Sequence, residues 1–109
     1  MRRALVLSNK VVAGILTETD DLHYTFQYDA DFLMNRNQRA IALAFPKREE
    51  AYISDELFPF FYNMLSEGAN KALQCASLKI DETDSFGLLL ATATHDTIGA
   101  ITIEALWNL

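Results

Sequence analysis

The segment Phe58 to Gly68, FPFFYNMLSEG, constrains this chain more than any other stretch. Phe58, Phe60, Phe61, Tyr62, Met64 and Leu65 crowd large apolar or aromatic side chains into one short run, with Pro59 inside it and Ser66-Glu67-Gly68 closing it. A helix over Pro59 to Leu65 would aim Phe61 and Leu65 one way, four residues apart, and set Phe60 and Met64 in a second row beside them. One small core can cover one such face but is strained by two. The segment is therefore either a fully buried core helix or a docking surface, where surplus apolar area beside a polar turn meets a partner.

The rest of the chain can supply one core to pack it against. A length of 109 residues fits a single domain spanning residues 1–109, large enough to bury a core without disulfide or metal staples. Half the residues are hydrophobic, with only 4 glycines and 2 prolines, a composition that folds rather than staying disordered. Apolar runs such as Ala40 to Pro46 are far short of the roughly 20 residues a membrane span needs. Met1-Arg2-Arg3 followed by Ala4 to Leu7 has the outline of a signal peptide, but Ser8-Asn9-Lys10 interrupts it, so a cytoplasmic location is expected. Cys75 is the one cysteine and reads as a small core or boundary residue. Fifteen acidic against nine basic residues give a net charge of −6. That balance, with its basic residues dispersed, disfavours direct nucleic-acid contact. It suits an ordinary solvated surface or a basic partner.

Ala4–Leu7 and Val11–Leu16 read as strands joined in a hairpin at Ser8-Asn9-Lys10. Leu22–Tyr28 reads as a third strand, with Tyr24, Phe26 and Tyr28 on one face by period two. Asp29 caps a short helical turn that places Phe32 and Leu33 inward. Ala40–Phe45 is expected to be a strand and Lys47–Glu50 a charged loop. Ser54 or Asp55 is expected to cap a helix carrying the aromatic run to Gly68. Ala69–Leu78 makes another helix, a third is capped by Asp84 or Ser85, and Gly99–Ile103 returns as a strand. This order predicts an α+β fold, a small antiparallel sheet with helices grouped against it.

Five pieces, in order over roughly residues 5 to 103, resemble the amino-terminal subdomain of HipA-type toxin kinases. Phe58–Gly68 resembles that family's "PFFxNLLPEG", and Val12-Ala13-Gly14-Ile15-Leu16 its "VGxL" strand. Phe26-Gln27-Tyr28 with Phe32-Leu33 resembles "FxYxxxYL", and Ala42–Pro46 stands where "LSLSLP" is found. Asp84-Ser85-Phe86, Leu88-Leu89, Asp96 and Gly99-Ala100-Ile101 resemble "DxFxLLxxIGxDxxGAV". Ser66 replaces the usual proline of the turn, Ala93-Thr94-His95 replaces a glycine-containing step, and the chain ends at Leu109 where HipA-type kinases continue into the kinase body.

A phosphoryl-transfer enzyme needs a phosphate-cradling loop, a phosphate-binding lysine, a catalytic aspartate and metal-holding Asn or Asp. The scattered Gly14, Gly68, Gly87 and Gly99 form neither G-x-G-x-x-G nor GK[ST]. The neighbours His95 and Asp96 lack a nucleophile or pocket to serve, and His23 sits on the polar face of its strand. Asp20-Asp21 and Glu49-Glu50 read as solvated loop pairs rather than metal ligands. Trp107, in the apolar tail Leu106–Leu109, either packs on its own domain or docks on another chain. No catalysis, metal or cofactor is expected.

The resemblance implies a HipS-like antitoxin of a three-component HipBST toxin–antitoxin operon. Such a chain binds and inhibits a truncated HipA-like serine/threonine kinase, HipT, with a helix-turn-helix repressor, HipB, possible in a ternary complex. The expected partner-binding residues are Phe60, Phe61, Asn63, Met64, Leu65, Ser66, Glu67 and Gly68, with the aromatic and aliphatic side chains as anchors. On that placement, charge reversal at Met64 or Leu65 abolishes neutralisation while the fold survives. The alternative is an accessory subunit that stabilises or activates a split kinase.

Overall fold

Asn9 and Lys10 both hold positive φ, 50° and 68°, the turn geometry whose twist matches two flanking antiparallel strands. They join β1 (Arg2–Ser8) to β2 (Val11–Glu18). The computed structural model describes residues 1–65, 68–92 and 100–106. Near the turn Ser8 faces Val11 and Leu7 faces Val12, but beyond Val6 the register shifts, so that Val6 faces Gly14 and Arg2 faces Glu18. Ala13 is the extra residue of this β-bulge. It is buried, and its carbonyl accepts the Asp29 N–H at 2.8 Å.

β3 (Tyr24–Tyr28) pairs with β2, and Gly14 stands opposite Tyr28. A Cβ on Gly14 would lie 2.4 Å from the Gln27 carbonyl oxygen, so the close approach of these strands requires glycine there. The Asp29 carboxylate then accepts the Asp31 N–H at 3.1 Å and starts α1 (Ala30–Met34). β4 (Tyr52–Ser54), α2 (Pro59–Tyr62), α3 (Gly68–Leu78), α4 (Ser85–Thr92) and β5 (Ile101–Leu106) follow. The five strands form one antiparallel sheet in the order β4-β3-β2-β1-β5. The fold is the expected α+β arrangement.

Period two divides the sheet into two faces. Val6, Leu16, Phe26, Tyr28 and Ile103 point into the core, where they meet Phe32 of α1, Phe61 of α2 and Phe86, Leu88 and Leu89 of α4. The opposite face presents Arg3, Ile15, Gln27, Ile53 and Glu104 as exposed residues. On α3, Cys75 is buried while Leu73 and Leu78 are exposed.

Three expectations about local structure are corrected. β3 begins at Tyr24, so Leu22 and His23 lie in the turn before it and not on the strand. Ala40–Phe45 is a loop, not a strand, and Leu43 is fully exposed. The Tyr28 hydroxyl organises it: it accepts the Ile41 N–H at 3.0 Å and donates to the Phe45 carbonyl. These bonds take the place of a strand ladder and turn Phe45 into the aromatic core, 5.1 Å from Phe26 and 5.2 Å from Phe58 between ring centroids. The helix expected from Ser54 or Asp55 to Gly68 is instead β4, a turn in which Ser54 Oγ accepts the Glu56 N–H at 3.2 Å, and the four-residue α2.

Candidate partner-binding surface

α2 begins without a side-chain cap. Phe58 occupies the N-cap position in extended conformation, and Pro59 follows in the first turn, where its missing N–H leaves no unpaired donor. Phe61 and Tyr62 donate to the Phe58 carbonyl at 3.0 and 2.9 Å, and Asn63 donates to Pro59 at 2.9 Å. The chain then tightens: Met64 and Leu65 donate to residues three positions back, at 3.1 and 3.0 Å. Pro59 limits the helix at its start and this tighter turn at its end.

Each side of this short helix has a different role. Phe58, Phe61, Met64 and Leu65 face the core. Phe61 is completely buried, with ring centroids 5.8 Å from Phe26 and 5.7 Å from Phe45. Phe60 is half-buried against Phe45 and Phe61 and lines a cleft of about 440 Å³ with Arg39, Ile41 and Ile101. Tyr62, 43% exposed, and the exposed Asn63 line a larger cleft of about 700 Å³. Of the contact residues named from the sequence, Phe60 and Asn63 thus reach the surface in two different clefts, while Phe61, Met64 and Leu65 support it from inside. Gly68 opens α3. Ser66 and Glu67 lie outside the described residues, as do His95, Asp96 and Trp107.

The larger cleft is bounded by the β2–β3 turn, the β4–α2 connection and the start of α4. Its floor is an ionic network that sequence reasoning missed. Arg2 Nε and Nη2 donate to Glu18 Oε1 at 2.9 and 2.6 Å, and Nη1 and Nη2 donate to Asp84 Oδ2 and Oδ1 at 3.0 and 2.8 Å. The Tyr24 hydroxyl donates to Glu18 Oε2 at 2.9 Å. Asp84 Oδ1 also accepts the Gly87 N–H at 3.0 Å, which makes it the cap of α4. A Cβ on Gly87 would fall 2.3 Å from Asp84 Oδ2, so glycine keeps room for the cap and its arginine. Glu18 is buried, and the guanidinium lies 5.2 Å from the Phe86 ring centroid.

These contacts set the protonation states. The hydrogen bond to Asp84 holds the Arg2 guanidinium above its already high value, and Asp84 in turn is held below the usual aspartate range by Arg2. Burial, followed by the bond to Glu18, pushes the Tyr24 phenol up to about 12. On the cleft's edge His23 bridges two carboxylates, with Nδ1 3.2 Å from Asp21 and Nε2 3.2 Å from Asp55. It ties the β2–β3 turn to the β4–α2 connection. Glu18 and Asp84 are engaged by Arg2 and a backbone N–H, and Asp21 and Asp55 face His23, rather than being aligned on a nucleophile. Among the described residues no group of three or more His, Cys, Asp or Glu could hold a metal ion. No helix in them is long and apolar enough to cross a membrane.

One signal for the network was present in the sequence. Period two along β2 puts Glu18 on the same face as Leu16, and a carboxylate on a core face requires a cation. The identity of that cation depends on the bulge, which places Arg2 rather than Met1 opposite Glu18.

Residues 4–104 match the family model described as HipA N-terminal domain. An "uncharacterized protein" of Haemophilus influenzae is 33% identical over 107 residues, covering 94% of this chain and 95% of that protein. Among solved structures, the chain is similar to the N-terminal domain of HipA toxin, with a TM-score of 0.75 and 25% identity. That match covers 100% of this chain and 96% of the other.

Proposed function

The chain belongs to the HipA N-terminal domain family, and from that premise we propose that it acts as the antitoxin of a three-component HipBST-type system. In this reading it binds a HipA-like serine/threonine kinase, HipT, and holds it inactive, with a HipB-like repressor completing the complex. The observation that carries the reading is the extent of the match. The match covers 95% of the Haemophilus relative, a protein little longer than the domain that forms one part of the HipA toxin. A contact made inside one chain in HipA becomes, in this reading, a contact between two proteins.

The contact surface is the accessible side of the Phe58–Gly68 segment. Phe60 and Asn63 touch the kinase, Ser66, Glu67 and Gly68 extend the contact along the chain, and Phe61, Met64 and Leu65 fix its shape from the core. An inhibitory interface of this kind buries on the order of 1,600 Å² in total and depends on a few anchors. Inhibition is steric: the bound domain obstructs the nucleotide or substrate site or restrains the kinase lobes. The test is co-expression with the HipA-like kinase of the same operon, scoring growth, complex formation and kinase activity. Growth rescue together with a stable, inactive complex is the expected result. A complex that leaves the kinase active, or activates it, supports an accessory subunit instead, and absence of any complex overturns both readings.

A further inference from the structure

We propose that the larger cleft receives an arginine- or lysine-bearing segment of the partner kinase, an inference that rests on the antitoxin reading above. Four carboxylates, Glu18, Asp55, Glu56 and Asp84, line the cleft with one cation, Arg2. Arg2 is already engaged by Glu18 and Asp84, so the cleft keeps an excess of negative charge. Asp55 and Glu56 carry that charge at its mouth, where the Asp55 side chain is almost fully exposed. The apolar part of the wall is also exposed: Leu22 at 64% and Tyr62 at 43%. A carboxylate pair beside an aromatic ring and an aliphatic side chain suits the long arginine or lysine side chain. Its methylenes cover apolar surface while its head group reaches the carboxylates.

One side of the rim is a hydrogen-bonded turn. Leu22 sits at a φ of 60°, a conformation unfavourable for a leucine by about 1 kcal/mol. Its N–H donates to the Thr19 carbonyl at 3.0 Å and the Thr19 N–H donates to the His23 carbonyl at 2.8 Å. His23 fastens that turn to Asp55. These contacts order the turn that carries Leu22 and link it to Asp55 across the mouth. The overall charge of −6 adds long-range attraction for a basic partner surface.

The experiment is calorimetric titration of the separately purified HipA-like kinase of the same operon into this protein at two ionic strengths. It compares wild type with Asp55→Lys/Glu56→Lys and with a control, Glu49→Lys/Glu50→Lys, that changes the net charge equally in a separate loop. Circular dichroism melts confirm that each variant is folded. The cleft variant should bind at least about 30-fold more weakly and lose most of its salt dependence, while the control stays within about threefold of wild type. Equal losses in both variants, or none in the cleft variant, overturn the cleft proposal and leave the antitoxin reading intact. Absence of kinase binding by wild type defeats that reading, and the cleft is then probed alone with a tetra-arginine peptide by amide chemical-shift mapping. Shifts centred on Leu22, Asp55, Glu56 and Tyr62 uphold it, and their absence, or equal shifts with tetra-glutamate, overturns it.

Discussion

Arg2 and Asp84 meet fork to fork, with Nη1–Oδ2 and Nη2–Oδ1 at 3.0 and 2.8 Å. The same Asp84 oxygen that faces Nη2 accepts the Gly87 N–H. One carboxylate thus caps α4 and fastens that helix to the first strand of the sheet, at the end of the hairpin where Arg2 also pairs with Glu18. The pair closes the domain between its first strand and its last described helix.

That closure gives an acid-sensitive contribution to stability. Arg2 keeps Asp84 below its ordinary value of 3.8, so the folded state binds this proton less readily than the unfolded state. The contribution is complete above about pH 4 and is lost as pH falls through the lower, folded-state value. Hydrogen bonds from the Thr19 and Thr83 hydroxyls act in the same direction on Asp21 and Asp81. Both partners of the pair are more than a third exposed, and solvent screening limits it to about 1 kcal/mol. Asp84→Asn should lower the Tm at pH 7 by about 4 °C and flatten the fall of Tm below about pH 4. An unchanged acid limb in thermal melts would assign that sensitivity to other carboxylates.

The Tyr28 hydroxyl offers a second test, because it serves both a donor and an acceptor of the 40–46 loop. Tyr28→Phe leaves the Ile41 N–H and the Phe45 carbonyl without their partner while preserving the ring that stacks on Phe32 at 5.8 Å. Loss of these bonds should destabilise the domain by about 1–3 kcal/mol. The loop should also become the first site of limited proteolysis. A variant as stable as wild type, with Ile41 still protected from amide exchange, would show that the loop is held by Phe45 packing alone.

The extent to which this fold was readable follows the range of the interactions. The β1–β2 hairpin, the alternation of Tyr24, Phe26 and Tyr28 and the Asp29 cap are set by residues close in sequence, and each stands where the sequence places it. Ala40–Phe45 has the composition of a strand but is governed by a hydroxyl on β3, and composition carries no trace of that. β4 has three residues, too few for a period to emerge. At the candidate surface, the importance of Phe58–Leu65 to the fold was legible, but which side chains turn outward was not. The four-residue α2 and the tight turn after it send Met64 and Leu65 inward together with Phe61, whereas a continuous helix separates them into two rows. The Arg2–Asp84 pair joins residues 82 positions apart, and its existence depends on a bulge that local sequence does not announce.

The hairpin turn supplies a stabilising prediction. Asn tolerates the left-handed region, so Asn9 at 50° is well suited to its place, but Lys10 at 68° has no such advantage. Lys10→Gly should relieve the strain and raise stability by about 0.5–1 kcal/mol, seen as a higher denaturant midpoint with the same slope. Asn9→Val should do the opposite. If Lys10→Gly lowered the midpoint, the entropy gained by the unfolded glycine chain would outweigh the strain at this turn.

Leu65 and Asn63, two residues apart, separate folding from binding. Leu65 is buried among the core residues while Asn63 is exposed beside the larger cleft. Charge reversal at Met64 or Leu65, which the sequence reading favours as a surface test, therefore places an ion where it cannot be solvated. Leu65→Asp should destabilise the domain by about 3 kcal/mol or more and reduce soluble yield, so a loss of the proposed antitoxin activity would say nothing about contact. Asn63→Lys adds a charge to solvent-exposed surface and should shift the Tm by less than about 2 °C, while weakening kinase binding at least about tenfold. Thermal melts and kinase pull-down on the two variants check both halves. An Asn63→Lys protein that folds, binds and neutralises the kinase as wild type does would remove this side of α2 from the interface and leave Phe60, in the other cleft, as its accessible anchor.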